Sequence, residues 1–127
     1  MTYVYTVVAL CIIDGIWLFS MGGLYKKWLS HLFAPSMMYW PAVIFYAFYA
    51  FGLVYFVINP AVASGAGLLT IFLKGAFLGL LAYGAYDLTN QATMRDWPWH
   101  VTVIDMAWGA LLSGIVSGIV TLLARTS

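Results

Sequence analysis

The chain has 127 residues, of which 65% are hydrophobic and 7% charged, with a formal net charge of +1 and a mean hydropathy of +0.97. A soluble domain carries about 25% charged residues, so this composition excludes a water-exposed globule and indicates an integral membrane protein. The near-neutral balance offers no basic patch for nucleic acid, and the lone Cys11 can form no internal disulfide.

A membrane-spanning helix needs about 20 mostly apolar residues, and four such runs occur. The first, 3–22, is interrupted only by Asp14. An acid in mid-run and the lack of a basic start argue against a cleaved signal peptide. In the following stretch, 23–37, Leu24, Tyr25, Trp28, Leu29, Leu32 and Phe33 recur at helical spacing, with Lys26, Lys27, Ser30 and His31 on the opposite face. That pattern predicts a short interfacial amphipathic helix lying on the membrane. The second run, 38–59, holds no charge and ends at Pro60, and Ser64-Gly65-Ala66-Gly67 marks the turn. The third, 68–86, contains Lys74 and stops at Asp87. A polar loop, 88–98, then leads to the fourth run, 99–124, which contains Asp105 and is closed by Arg125. Pro98 before Trp99 suits a helix start.

The runs are too long, and too uniformly apolar, for barrel strands. The expected fold is therefore an all-α, single-domain membrane four-helix bundle over 1–127, with the interfacial helix between spans one and two. Four spans put both termini and the 60–67 turn on one side, and loops 23–37 and 88–98 on the other. Lys26, Lys27 and Arg95 lie on the latter side, so the positive-inside rule places those loops in the cytoplasm. Gly75-x-x-x-Gly79 and Gly114-x-x-x-Gly118 allow close helix approach, within one bundle or between two copies. Membrane lipid is the expected partner.

The intramembrane ionisable residues carry the functional information. An Asp at a helix centre costs about 2.5–3.5 kcal/mol on insertion scales, so it needs a partner or a purpose. Asp14 lies roughly 12 Å, and Asp105 roughly 9 Å, from the same side of the membrane, counting about 1.5 Å per residue. Asp87 joins them there, while Lys74 enters from the opposite face and can either reach toward Asp14 or snorkel to its own interface. Asp14 and Trp17, like Asp105 and Trp108, stand three apart on one helix face. This shared pattern predicts that the first and last helices face each other across a polar centre, with indole N–H groups donating to carboxylates. The candidate polar cluster is Asp14, Trp17, Asp87, Thr89, Asn90, Trp97, His100, Thr102, Asp105 and Trp108, with the 88–98 loop placed to cover it. A dry, filled centre with Asp14 bonded to Trp108 or Thr102 would favour a purely structural lock.

The string Tyr86-Asp87-Leu88-Thr89-Asn90-x-Ala92-Thr93-x-x-x-Trp97-Pro98, followed by Thr102-x-x-Asp105-x-x-Trp108-Gly109, resembles a family of short bacterial membrane proteins, domain-of-unknown-function family 2177. Asp14-x-x-Trp17, Phe45-Tyr46 with Tyr49-x-x-Gly52, and Asn59-Pro60-Ala61 are similar to it as well. The resemblance covers nearly the whole chain and implies a four-span bacterial inner-membrane protein. It carries no reaction, so no catalytic role transfers with it.

The residue inventory narrows the alternatives. Two histidines in separate segments cannot supply a histidine-rich lipid desaturase, and a chain without Glu cannot build a carboxylate-bridged di-metal bundle. No metal or other cofactor is expected. The first reading is binding or transport of a proton or small amphiphile at the acidic site. The second is a small membrane enzyme, or an accessory subunit of one, acting on lipid or isoprenoid through a carboxylate pair. The third is an assembly subunit with no site.

Overall fold

The computed structural model describes residues 1–32 and 40–126, and their regular structure is entirely helical. Helix α1 spans Thr2–Leu29 and closes with a single 3-10 turn, Ser30–Leu32. The separate interfacial helix anticipated from 24–33 is therefore corrected. Its described part is helical, as the spacing demands, but it continues the first span without a break. Gly22 and Gly23 lie within regular helix. The apolar face that was to lie on the membrane instead packs on the last helix, where Leu29 joins Trp97 and Val101, flanked by Tyr25, Trp28 and Leu32. Phe33 and the expected start of the second span at 38 lie outside the described residues. At about 1.5 Å per residue α1 measures about 42 Å, longer than a hydrocarbon core of about 30 Å.

The second span, Trp40–Ser64, is built in three pieces: α2, Trp40–Leu53; a π-turn, Val54–Ile58; and α3, Asn59–Ser64. Pro60 does not end this span, as its sequence position suggested. Proline has no amide hydrogen to give, and its ring crowds the carbonyl four residues earlier. The π-turn just before it widens the helix there, and Pro60 then occupies the first turn of α3, where no donor is needed. The helix stops instead at Gly65, whose left-handed φ of 67° favours a residue without a side chain. The Gly65 and Ala66 amides both donate to the Ala61 carbonyl, at 3.0 and 3.3 Å. Arg125 donates to the Ala61 and Ala66 carbonyls at 2.7 and 2.8 Å, so the far end of the chain staples this turn.

Helix α4 runs Leu68–Thr93 and α5 runs Trp99–Thr126. The third span is thus longer than expected, and the polar run after Tyr86 forms its last turns. Only 94–98 is a loop. The two helices pack closely through the small residues. A methyl group on Gly75 would stand 2.7 Å from the Ser113 carbonyl oxygen, and one on Gly79 would stand 2.7 Å from Ser113 Cβ. Gly109 faces Tyr83, and Gly114 faces Phe72. These faces are filled within the chain. Helix α5 is the hub, since half of its most apolar stretch is buried, against 11% for that of the first span. Leu112, Val116 and Val120 of α5 form the core with Leu10, Ala50, Leu53 and Ile58.

Candidate functional site

Below that core, toward the end of the bundle where α1 closes and the 94–98 loop turns, the helices diverge around a cavity of about 490 Å³. Asp14, Trp17, Tyr25 and Lys26 of α1, Tyr46 of α2, Tyr83, Tyr86 and Asp87 of α4, and Asp105 and Trp108 of α5 line it, with Trp97 and Val101 at the loop end. Three of the chain's four acids therefore face one space. A second cavity of about 560 Å³ shares Tyr83, Tyr86 and Asp105 with the first and is completed by Pro41, Ala42, Phe45 and Ala82, between α2 and α4.

The three acids differ in how they are held. Asp14 is buried and fully engaged: the Trp108 indole N–H donates to one oxygen at 2.9 Å, and the Tyr46 hydroxyl donates to the other. Trp17 lies flat on Trp108, with ring centroids 4.3 Å apart and planes 6° from parallel. Helices α1 and α5 thus face each other through the two Asp-x-x-Trp segments, but the exchange is one-sided. Asp105 takes its hydrogen bond from Tyr25 at 3.3 Å.

Asp87 is the exception. It has no exposed surface, and its carboxyl lies against that of Asp105, while among the described residues no N–H or hydroxyl donor reaches either of its oxygens.

The remaining sequence candidates lie elsewhere. Thr102 belongs to a closed network at the α4–α5 turn. It accepts from the Trp97 indole at 3.0 Å and donates to the Gln91 side chain at 2.9 Å, and the Gln91 amide donates to the Trp97 carbonyl at 2.8 Å. That network fixes Trp97 against the cavity without opening Thr102 to it. Thr89 is exposed, and its carbonyl accepts from Thr93 at 2.8 Å. The Asn90 carbonyl accepts the Met94 amide at 2.8 Å, which closes α4. His100 packs edge-on to Trp28, with centroids 4.6 Å apart, and its Nε2 is buried without a partner outside the cavity wall. Lys74 is exposed on α4, and Asp14 takes Trp108 and Tyr46 in its place. Among the described residues no three of His, Cys, Asp and Glu gather as a metal site would require.

A family model described as "Predicted membrane protein (DUF2177)" matches residues 1–122. The chain belongs to that family. No curated protein and no solved structure matches it. The resemblance seen in the YDLTN and WP segments is thereby met, together with four helices long and apolar enough to cross a membrane.

In this DUF2177 chain, sequence reasoning missed the tyrosines. Tyr25, Tyr46, Tyr83 and Tyr86 make up much of the cavity wall. Tyr25 was readable only as part of an amphipathic face. Tyr46 and Tyr86 stood in segments that carry the family resemblance, but nothing in the pattern marked their hydroxyls as part of a site. The usable signal was chemical: a buried tyrosine needs a partner for its hydroxyl, and the few intramembrane acids were the acceptors available.

Proposed function

We propose that this four-span membrane protein binds a membrane amphiphile in the acid-lined cavity, with the polar end of the ligand toward its acids. The observation that carries this reading is the space between the helices, with Asp14, Asp87 and Asp105 in its wall. Charged groups out of water are kept when something pairs with them. The cavity of about 490 Å³ falls within the range of about 300–1,000 Å³ common to small-molecule sites, and its wall is mostly aromatic and aliphatic. A structural lock would leave no such space: Asp14 is locked, whereas the centre beside it is not filled.

The mouth of the cavity carries the exposed Lys26. With Lys27 and Arg95 on the same side, the positive-inside rule supports a cytoplasmic mouth in a bacterial inner membrane. Proton carriage is the second reading, favoured by the adjoining Asp87 and Asp105 carboxyls. The apolar breadth of the cavity supports the amphiphile over a proton alone.

The test is native mass spectrometry of the protein purified in a neutral detergent. The wild-type chain is expected to retain an amphiphile that Asp105→Leu, at a half-buried position lining both cavities, loses while staying folded. If the wild type carries none and takes up none from added lipid extract, the reading fails. Proton flux through liposomes containing the wild type but not Asp87→Asn would then select the second.

A further inference from the structure

We infer that Asp87 of α4 and Asp105 of α5 share one proton and form a proton-binding pair, with Asp105 as the member that exchanges it with the cavity. This deepens the second reading above, proton carriage, and rests on it only for the use to which the bound proton is put.

Helix packing brings the two acids together. Gly84 of α4 faces Met106 of α5, where a methyl group on the glycine would stand 3.0 Å from Met106 Cε. One turn further along α4, the Asp87 carbonyl lies 3.5 Å from the Thr102 hydroxyl. Residues three apart share a helix face. Asp87 follows Gly84, and Asp105 follows Thr102, at that spacing. Both side chains therefore enter the same gap, where their carboxyls lie against each other in the cavity wall.

A carboxylate ion only accepts hydrogen bonds. Two of them in contact and out of water repel, so adjoining acids titrate as a pair in which one keeps its proton. Among the described residues no N–H or hydroxyl reaches either Asp87 oxygen to relieve that repulsion. One proton turns two acceptors into a donor and an acceptor. On taking it up the pair passes from two negative charges to one, and on ionising it returns the same proton, with no other bond changed. Sharing lessens the cost of burying two acids side by side. It does not make Asp87 a net support, because its carboxyl remains out of water.

The other groups around the pair leave the proton to these two acids. From α1, Asp14 is held by Trp108 and Tyr46, Tyr25 donates to Asp105 at 3.3 Å, and the exposed Lys26 is the one basic residue on the wall. Helix α2 brings Tyr46, and α4 brings Tyr83 and Tyr86. On α5, His100 packs against Trp28 instead. Access separates the two partners. Asp87 has no exposed surface, whereas Asp105 is half-buried and lines both cavities. Exchange with water therefore runs through Asp105, and Asp87 holds the proton away from it.

The experiment is infrared spectroscopy of the full chain in lipid vesicles at neutral pH, in ordinary and in heavy water. The wild type is expected to show the C=O band of an un-ionised carboxylic acid, shifted in heavy water. Asp87→Asn, whose amide N–H can replace the shared O–H, is expected to remove the band and keep the fold, because Asp105 then ionises. Asp105→Asn, at a half-buried position, is expected to move or remove the band, because the proton has lost its second acid. A wild type without the band, a band that heavy water does not shift, or one unchanged in either variant overturns the inference. Proton flux through liposomes without the band keeps the second reading and overturns the pair. The band without flux keeps the pair as a binding site and rejects carriage.

Discussion

Trp108 of α5 donates its indole N–H to Asp14 of α1 at 2.9 Å, tying the first helix to the last across the bundle. Trp17 stacks on the same indole, so ring packing and hydrogen bonding can be separated by mutation. Trp108→Phe keeps an aromatic surface and removes the donor. It is expected to cost about 1–3 kcal/mol, the penalty of leaving a buried acceptor short of a partner. Asp14→Ala should cost at least as much, because it strands both Trp108 and Tyr46. In a double-mutant cycle the two losses should fall short of additive. Thermal unfolding in detergent micelles reads all three, and full additivity would mean that the bond does not couple the helices.

Asp87 should behave in the opposite way. Fully buried, with another acid, Asp105, against its carboxyl, its side chain is a cost to the folded state rather than a support. Asp87→Leu, similar in size and apolar, is expected to leave the melting temperature unchanged or to raise it, as replacing buried charge with packed hydrocarbon often does. The same thermal measurement checks this. A loss comparable to that of Trp108→Phe would mean that the carboxyl is held by its own chain.

This contrast between two acids marks the limit of what the sequence disclosed. Hydropathy alone gave the four spans, because a run without charges has few other places to go. Counting residues from the ends brought Asp14, Asp87 and Asp105 to one side, and the three do line one cavity. The repeated Asp-x-x-Trp spacing foretold that α1 and α5 would meet. Helix ends were less legible. The polar run after Tyr86 read as loop because its composition suits turns, yet Gln91 and Thr102 use that polarity to bind α4 to α5. The break at Gly22 and Gly23 did not occur because Leu29 and Tyr25 found Trp97 and Asp105 to pack against. Which acid would be paired was beyond reach, since that depends on tyrosines placed by tertiary packing.

The glycines offer a test of the α4–α5 contact. Gly79→Leu places side-chain atoms where Ser113 and the Gly109 backbone already lie, and overpacking of this kind costs about 1–3 kcal/mol or more. Gly15→Ala on α1 is the control, because an added methyl there meets nothing within 4 Å. Removing a mid-helix glycine should stabilise the chain by about 0.5–1 kcal/mol. Melting temperatures that move in opposite directions are the expected outcome, and a neutral Gly79→Leu would mean that α4 and α5 pack less closely than described.

The last prediction concerns Arg125, which the sequence suggested only as the close of a span. One of its guanidinium nitrogens donates to both the Ala61 and Ala66 carbonyls, and the Gly65 and Ala66 amides converge on the same Ala61 oxygen. The turn between the second and third spans is thus held from the far end of the chain. Helix ends leave carbonyls without intrahelical donors, and a cation there also opposes the negative end of the helix dipole. Arg125→Ala removes both effects and should speed hydrogen exchange at the Gly65 and Ala66 amides severalfold, with α4 and α5 unaffected at their centres. Arg125→Lys keeps the charge and several N–H donors, so it should restore much of the protection. Equal exchange in the wild type and Arg125→Ala would mean that the turn holds itself through Gly65, and that Arg125 only anchors the helix end at the interface.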